Sequence, residues 1–311
     1  MAFPYGDIMA TTIEHRNKEL ADNVTKATPL LVRLQSKGKI KTIDGGTNIT
    51  EELEIAENGT VNWYAGYEPL DITPQEVFDI AEYEIKQLAG TVSISGLEEL
   101  QNSGKERMIP LMAKRIDNLE RSLKNLMGAA LFGDGTVPKA INGLQFLVQD
   151  TPSSSSVVGG INQQIYTFWR NQVVTGTLST NIREKMGALW LLTERNNDKT
   201  DLIVMDSTYY QWFENSLDQQ MRYASDDTDV GKAGFTSLRY KNAAVVHDVN
   251  CPANHAYFLN TDFLYLRPHK DRQFVPLRKR DSLNQDATVL PVVWAGNLTT
   301  SNRARQGVLI A

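Results

Sequence analysis

Residues 43–74 read IDGGTNITEELEIAENGTVNWYAGYEPLDITP, and this stretch predicts a long two-stranded hairpin. Apolar Leu53 and Ile55 alternate with glutamates, as they do on a strand with one buried face. The dipeptide Asn58-Gly59 that follows is the strongest short signal for a hairpin turn. Apolar and polar residues then alternate again through Trp63, which fits a second strand.

A two-stranded ribbon is only marginally stable in water by itself. This ribbon carries several large apolar side chains, which need a further surface to bury them. That surface belongs either to the same domain or to a neighbouring subunit, and the residues alone leave both alternatives open. The candidate inter-subunit contacts are Leu53, Ile55, Asn58, Gly59, Trp63, Tyr64 and Tyr67.

The periodicity of the chain changes after the hairpin. Residues 77–94 alternate with period two, which predicts a half-buried sheet. Between residues 109 and 130 the apolar positions recur at steps of three and four, which predicts a long amphipathic helix. Because Pro110 is tolerated only in a first turn, we place the helix start within residues 105–108, and Gly133 lies at its end.

A flexible Ser- and Gly-rich surface segment at residues 151–160 marks the boundary of a second unit. Within that unit we expect a helix capped near Ser179 or Thr180, a buried strand at residues 202–205, and a helix capped by Asp206.

The rest of the chain predicts further strands. These are expected at residues 243–246, 256–259 and 263–266. The C-terminal residues 289–294 and 308–310 are predicted to return to the sheet of the first domain.

Composition is that of a globular protein, with 41% hydrophobic residues and a mean hydropathy of -0.34. No apolar run is long enough to cross a bilayer, and the first residues lack the pattern of a secretory signal. The single Cys251 cannot form an intrachain disulfide, and we interpret it as a small residue in a turn.

An enzyme is the first rival class, but its usual motifs are missing. The sequence has no phosphate-binding glycine loop and no nucleophile elbow, and its four histidines lack metal-ligand spacing. We interpret the acidic run Asp226-Asp227-Thr-Asp229 as a solvated loop, since it lacks the glycine and terminal glutamate of a calcium loop. We therefore assign no catalytic, cofactor or metal residue.

Nucleic-acid binding is the second rival class. The net charge of -5 argues against a phosphate-coating surface, although residues 278–280 and the pair Arg303 and Arg305 are locally basic. We expect these clusters to pair with acids across subunit contacts. The candidate acids in the hairpin are Glu51, Glu52, Glu54 and Glu57.

The order of the elements resembles the major capsid proteins of tailed bacteriophages, which have the Hong Kong 97-type shell fold. The resemblance rests on an arm, a long hairpin, a strand ending in VSISGLEELQNSG at residues 92–104, a long helix, and FWRN at residues 168–171. It implies an α+β fold with an extended N-terminal arm, an extended hairpin loop, a peripheral domain with a long spine helix from Lys105 to Leu131, and an axial domain. The implied bounds are 1–40 for the arm, 41–76 for the loop, 77–147 with 273–311 for the peripheral domain, and 148–272 for the axial domain.

The resemblance also implies a structural function. Such a chain self-assembles through hexamers and pentamers into an icosahedral head that encloses double-stranded DNA, bound without sequence specificity. It would be found in the virion after assembly in the host cytoplasm, with no membrane partner. Its partners would be itself and, in some relatives, a scaffolding protein, a portal, and a decoration or cement protein. A nanocompartment shell of similar fold that encloses cargo protein is the alternative.

Two further expectations concern how such a shell is built. Because the arm-like region starts almost at Met1, we expect any scaffolding to be a separate protein. Some members of the family link subunits covalently through a lysine on the extended loop and an asparagine. Residues 43–77 contain no lysine, and Lys41 lies at the base of the loop, so Asn297 or another C-terminal asparagine would lack a partner and we expect no such link.

Overall fold

The computed structural model describes residues 28–101, 105–217, 237–278, 280–281 and 284–311. Its helices are α1 (Pro29–Ser36), α2 (Gly96–Gln101), α3 (Lys105–Ala130), α4 (Leu144–Leu147), α5 (Leu178–Thr193) and α6 (Ser207–Ser216). Short 3-10 turns lie at Thr167–Trp169, Thr261–Phe263 and Arg303–Arg305.

The strands are β1 (Asn48–Glu54), β2 (Phe78–Glu84), β3 (Lys86–Ser95), β4 (Val157–Val158), β5 (Ile161–Asn162), β6 (Gln172–Thr175), β7 (Leu202–Met205), β8 (Ser237–Tyr240), β9 (Ala243–His247), β10 (His255–Leu259), β11 (Leu264–Pro268), β12 (Val275–Pro276), β13 (Arg280–Asp281), β14 (Ala287–Thr300) and β15 (Gly307–Ile310). The predicted α+β class is confirmed, and so are the strands expected at residues 202–205, 243–246, 256–259 and 263–266.

The first sheet is organised around the long strand β14. One edge of β14 pairs antiparallel with β3, from Ala287 opposite Ser95 to Gly296 opposite Lys86. The other edge pairs with β11, β12 and β13. Helix α3 lies against β3, and Gly90 permits this close approach, since a Cβ at that position would overlap the side chain of Leu119. The prediction that residues 289–294 join this sheet is confirmed.

The second sheet has six strands in the order β6-β15-β10-β7-β9-β8. Strand β15 lies inside it, parallel to β6 and antiparallel to β10. The prediction that residues 308–310 return to the first sheet is therefore wrong. A short apolar strand with strands on both sides satisfies its backbone and buries both faces, which explains why β15 belongs there.

One continuous core joins the two sheets. The side chains of β7 and β10 alternate between its two faces, as strand geometry requires. One set of side chains points toward the core shared with the first sheet: Leu202, Val204, Tyr257 and Leu259. The other set points toward α5 and α6: Ile203, Met205, Ala256 and Phe258.

The predicted helix ends agree with the structure to different degrees. Helix α3 begins at Lys105, within the predicted range, but Pro110 falls in its second turn and not in its first. Asp206 caps α6 as predicted, accepting the backbone N–H of Tyr209 at 2.8 Å. The predicted cap of α5 at Ser179 or Thr180 is wrong, because α5 begins at Leu178 without a side-chain cap and is interrupted at Asn181.

Two segments that the sequence predicted to be extended or flexible make specific contacts. Residues 29–36 form α1. Pro29 lies in its first turn, where the backbone N–H that proline lacks would have no partner within the helix, and the three leucines of the helix are buried. The expectation of an extended arm is wrong for these residues, and residues 1–27 lie outside the described part. Within residues 151–160, Ser156 donates to the Gln149 side chain, and β4 pairs with β5.

Candidate inter-subunit contact surface

The connection between β1 and β2 is much longer than the predicted hairpin turn. The ribbon β1–β2 is paired from Asn48 opposite Glu84 to Glu54 opposite Phe78, which leaves residues 55–77, here called the strap, outside the ladder. The predicted hairpin turn at Asn58-Gly59 and the second strand through Trp63 are wrong, because the turn in which the N–H of Val61 donates to the carbonyl of Asn58 joins no paired strands. Oδ1 of Asn58 instead accepts both the N–H and the O–H of Thr60, at 3.0 and 2.7 Å, which is the other turn that asparagine commonly makes.

The inner face of the ribbon is fixed to the body of the subunit. Ile49, Leu53 and Ala81 are buried there, and the Tyr83 hydroxyl donates to the carbonyl of Thr300 at 2.9 Å. Burial raises the pKa of Tyr83. Leu53 is only 3% exposed in the isolated subunit, so its prediction as an inter-subunit contact is wrong, because the core of its own subunit already covers it.

Glu51 fixes the root of the ribbon electrostatically. Its carboxylate accepts two hydrogen bonds from the guanidinium of Arg267, at 2.8 and 2.7 Å, and one from the hydroxyl of Thr299 at 2.7 Å. Because Glu51 is buried with these partners, its prediction as an acid that pairs across subunits is wrong. The burial of Glu51 could have been predicted from its position, because alternate residues of a strand face the same side and Glu51 lies between the inward-facing Ile49 and Leu53.

The strap presents a row of large apolar side chains to solvent. They are Val61, Trp63, Tyr64, Tyr67, Leu70 and Ile72. Trp63 and Tyr67 are fully exposed, and Ile72 is 92% exposed. The outer face of the ribbon adds Phe78 and Ile80. A contiguous exposed apolar segment of this kind marks an interaction surface.

The predicted contact residues thus separate into groups. Trp63, Tyr64 and Tyr67 have the exposure that a contact requires, Asn58 and Gly59 lie in an exposed turn, and Ile55 is half-buried. Their role in contacts between subunits stays a prediction.

The candidate contacts predicted from the sequence left out five exposed apolar residues. They are Leu70, Ile72, Phe78, Ile80 and Val61. The exposure of Leu70 and Ile72 could have been inferred from the nearby Pro69 and Pro74. Proline does not belong in a central strand, so sheet pairing is not expected to cover its neighbours.

The strap is acidic as well as apolar. Residues 55–77 contain four carboxylates and no Lys, Arg or His. Asp71 accepts the N–H and O–H of Thr73, and these hydrogen bonds lower its pKa. An exposed ion pair joins Glu57 to Arg195 at 3.1 Å, and such pairs contribute only about 0.2 to 1 kcal/mol.

Arg303 does not lie in a basic surface cluster, as the sequence predicted, but in the core. Its guanidinium donates to the carbonyls of Leu147 and Trp169 and to the side chains of Gln163 and Asn171. Burial lowers the pKa of Arg303 to about 10. Its prediction as a partner of acids across subunits is wrong, because four internal acceptors already hold it.

Asn297 is likewise held inside the subunit. Its side-chain oxygen accepts the N–H groups of Asn142 and Leu298, and its amide nitrogen donates to the carbonyl of Glu84 at 2.8 Å. The side chain is completely buried, so its amide is closed to attack from a neighbouring subunit.

Within the described residues, no group of three or more His, Cys, Asp or Glu side chains is arranged to hold a metal ion. Cys251 is buried in a turn closed by the carbonyl of Asp248, as predicted, and burial raises the pKa of its thiol. The acidic run at residues 226–229 lies outside the described part. No helix among the described residues combines the length and apolar character needed to span a bilayer.

Comparison with solved structures identifies the fold. This chain superposes on a chain of the cyanophage A-1(L) capsid asymmetric unit with a TM-score of 0.68 at 17% identity. The superposition covers 90% of this chain and 92% of the cyanophage chain. Capsid chains of native and empty GTA particles superpose with TM-scores of 0.60 and 0.61 at 14% and 13% identity. These cover 90% and 88% of this chain and 89% and 88% of the GTA chains.

The chain has the Hong Kong 97-type fold. In the terms of this fold, α3 is the spine helix, and the ribbon with its strap is the extended loop. No family model matches the sequence, and no curated protein matches it. At these identities the likeness establishes the fold alone.

Proposed function

We propose that this chain is the major capsid protein of a tailed phage, a structural subunit that self-assembles into an icosahedral shell around double-stranded DNA. One observation carries the proposal beyond the fold: the strap exposes Trp63, Tyr67 and Ile72 although its root is firmly anchored by Leu53 and Glu51. A rigidly rooted apolar strap is suited to lie on a neighbouring subunit.

Burial of the strap on neighbouring subunits drives assembly in this proposal. An aromatic side chain that loses about 150 Å² of exposed surface contributes roughly 4 kcal/mol at ~25 cal/mol per Å². Much of that is offset by the ordering cost of association. Many equivalent contacts nevertheless add up in a closed particle, so each one can be weak.

We assign the domains by analogy with the fold. The arm comprises residues 1–40 and the extended loop residues 41–76, and the peripheral domain comprises residues 77–147 and 273–306. We assign residues 148–272 to the axial domain, except that the pairing of β11 with β14 supports moving residues 264–272 to the peripheral domain. The pairing of β15 with β6 and β10 supports adding residues 307–310 to the axial domain.

Its proposed partners are other copies of the chain in hexamers and pentamers. A separate scaffolding protein, a portal, and a decoration or cement protein complete the set. The net charge of -5 argues against a surface that coats DNA phosphates, so we propose that packaged DNA is enclosed without sequence-specific binding. The protein acts in the virion after assembly in the host cytoplasm. A nanocompartment shell shares the fold, but the solved neighbours compared above are phage and GTA capsids.

Expression of the full chain and negative-stain microscopy test this proposal. Closed shells, tubes or capsomer rings support it. Monomers across a wide concentration range, with and without co-expressed assembly partners, contradict it. Particles from the natural source distinguish the two shell functions, since a phage head protects DNA from nuclease and a nanocompartment contains cargo protein.

A further inference from the structure

The ribbon and strap form a surface of a single charge sign. Residues 43–84 contain eleven carboxylates, of which only Glu51 is buried, and no Lys, Arg or His. On the outer face of the ribbon, Glu52 lies opposite Ile80 and Glu54 opposite Phe78, so each exposed apolar side chain has a carboxylate beside it. Neither Glu52 nor Glu54 forms an ion pair with any residue that the structure describes.

A second surface of the same chain has the opposite sign. The described residues among 270–281, here called the tongue, include β12 and β13, which pair with no described strand other than β14 and form an edge of the first sheet. Arg272, Arg278 and Arg280 are exposed there, and none of them forms an ion pair with a described residue. Cations on an edge strand keep it from pairing with an identical edge.

The acidic and basic surfaces start side by side but do not neutralise each other within the subunit. At their common root, Ile43 donates its N–H to the carbonyl of Pro268 at 2.9 Å, and Lys270 forms an ion pair with Asp44 at 3.3 Å. Beyond this root, no ion pair between described residues joins residues 52–84 to residues 271–281. The opposite charges are therefore available to another molecule.

The signs of the two surfaces restrict how two copies can meet. A contact of ribbon with ribbon, or of tongue with tongue, brings like charges together and is disfavoured. A contact of ribbon with tongue joins two different surfaces of identical chains. Contacts of this head-to-tail kind generate rings when the rotation between copies closes.

We infer that the acidic outer face of the ribbon of one subunit binds the basic tongue of the next copy, and that this charge pairing sets the head-to-tail order of subunits in a ring. The inference rests on the proposed shell function and names the partner surface for it. Glu52 and Glu54 meet Arg278 and Arg280, while Phe78 and Ile80 supply the apolar part of the same contact. Salt weakens such pairing between exposed charges.

A charge-swap experiment tests the inference. The variants are Glu52→Lys with Glu54→Lys, Arg278→Glu with Arg280→Glu, and the combination of all four changes. We expect each double variant to raise the protein concentration needed for assembly by on the order of tenfold or more, because two attractions become repulsions. The combined variant should assemble near the wild-type concentration, and light scattering with negative-stain microscopy measures both.

The controls separate the contact from folding and from net charge. Thermal unfolding of the unassembled variants should match wild type, since all four side chains are exposed. Glu184→Lys with Glu214→Lys makes the same charge change as the ribbon variant at exposed positions on α5 and α6, and it should leave assembly unchanged. The milder pair Glu52→Gln with Glu54→Gln should have an effect between wild type and charge reversal.

Each contrary outcome has a distinct meaning. If wild type forms shells and the combined variant does not, the inference is wrong while the proposed function stands. An equal loss in the control pair would make net charge the cause and overturn the inference. If the Arg278 and Arg280 variant assembles normally but retains less DNA, the tongue faces the packaged genome instead. If wild type never assembles, with or without co-expressed assembly partners, both proposals fail.

Discussion

Replacing Trp63 with alanine should impair assembly and leave folding of the subunit intact. The side chain is fully exposed in the subunit, so its removal should change the free energy of unfolding by no more than about 0.5 kcal/mol. If a neighbouring subunit covers the ring, its loss costs roughly 3 kcal/mol per contact. A change of that size weakens each contact by on the order of a hundredfold, since about 1.4 kcal/mol corresponds to a factor of ten.

The assay compares two quantities in the same preparation. Thermal unfolding of the unassembled subunit reports folding, and light scattering against concentration reports assembly. Leu53→Ala on the inner face of the same ribbon is the matched control, and it should destabilise the subunit itself by about 2 to 5 kcal/mol. The reasoning is refuted if Trp63→Ala lowers the unfolding temperature as Leu53→Ala does, or if its assembly curve coincides with that of wild type.

Three further predictions concern the subunit interior and the shell. Arg303→Lys should lower the free energy of unfolding in urea by about 3 kcal/mol, because one ammonium cannot reach all four acceptors; unchanged stability would contradict this. Burial raises the pKa of Asp248, so the folded state holds its proton more tightly than the unfolded state, and the resulting stability is lost as pH rises. Asp248→Asn should therefore be more stable than wild type at pH 7 and lose that advantage toward pH 4, whereas an equal gain at both pH values would refute the cause. Particles boiled in detergent and reductant should give one monomer band, because the strap has no lysine and Asn297 is buried; a ladder of multimers would show a covalent link.

The elements with a strong periodic signal could be predicted from the sequence. The long helix α3 and strand β7 follow from apolar spacing, and the cap by Asp206 follows from side-chain chemistry. The order of these elements led to the Hong Kong 97-type fold. Local pattern was sufficient wherever one segment determined its own structure.

Pairing between distant segments could not be predicted in the same way. Asn58-Gly59 has the sequence of a tight hairpin turn, but β1 pairs with residues 78–84 and not with the residues directly after this turn. The alternation of apolar and polar residues in 78–84 matches that of β1. Strand β15 is apolar enough for either sheet, and only the tertiary structure decides that it lies between β6 and β10. Register and partner choice depend on the assembled core, and no local pattern contains them.

The buried charges escaped prediction for a related reason. Glu51 and Arg303 have the residue types of a surface, and their burial depends on partners distant in sequence, Arg267 for one and Gln163 with Asn171 for the other. A charged residue is buried only where such partners are available. For the aromatic residues of the strap the sequence left two alternatives open, and only the structure shows that their own subunit does not cover them.

Cryo-electron microscopy of particles assembled from the full chain tests the central claim most directly. The account predicts a closed shell in which residues 55–77 of each subunit lie on the next subunit, with Trp63 and Tyr67 covered and the ribbon against the tongue of its neighbour. A particle in which the strap folds back on its own subunit, or a protein that stays monomeric, would contradict it.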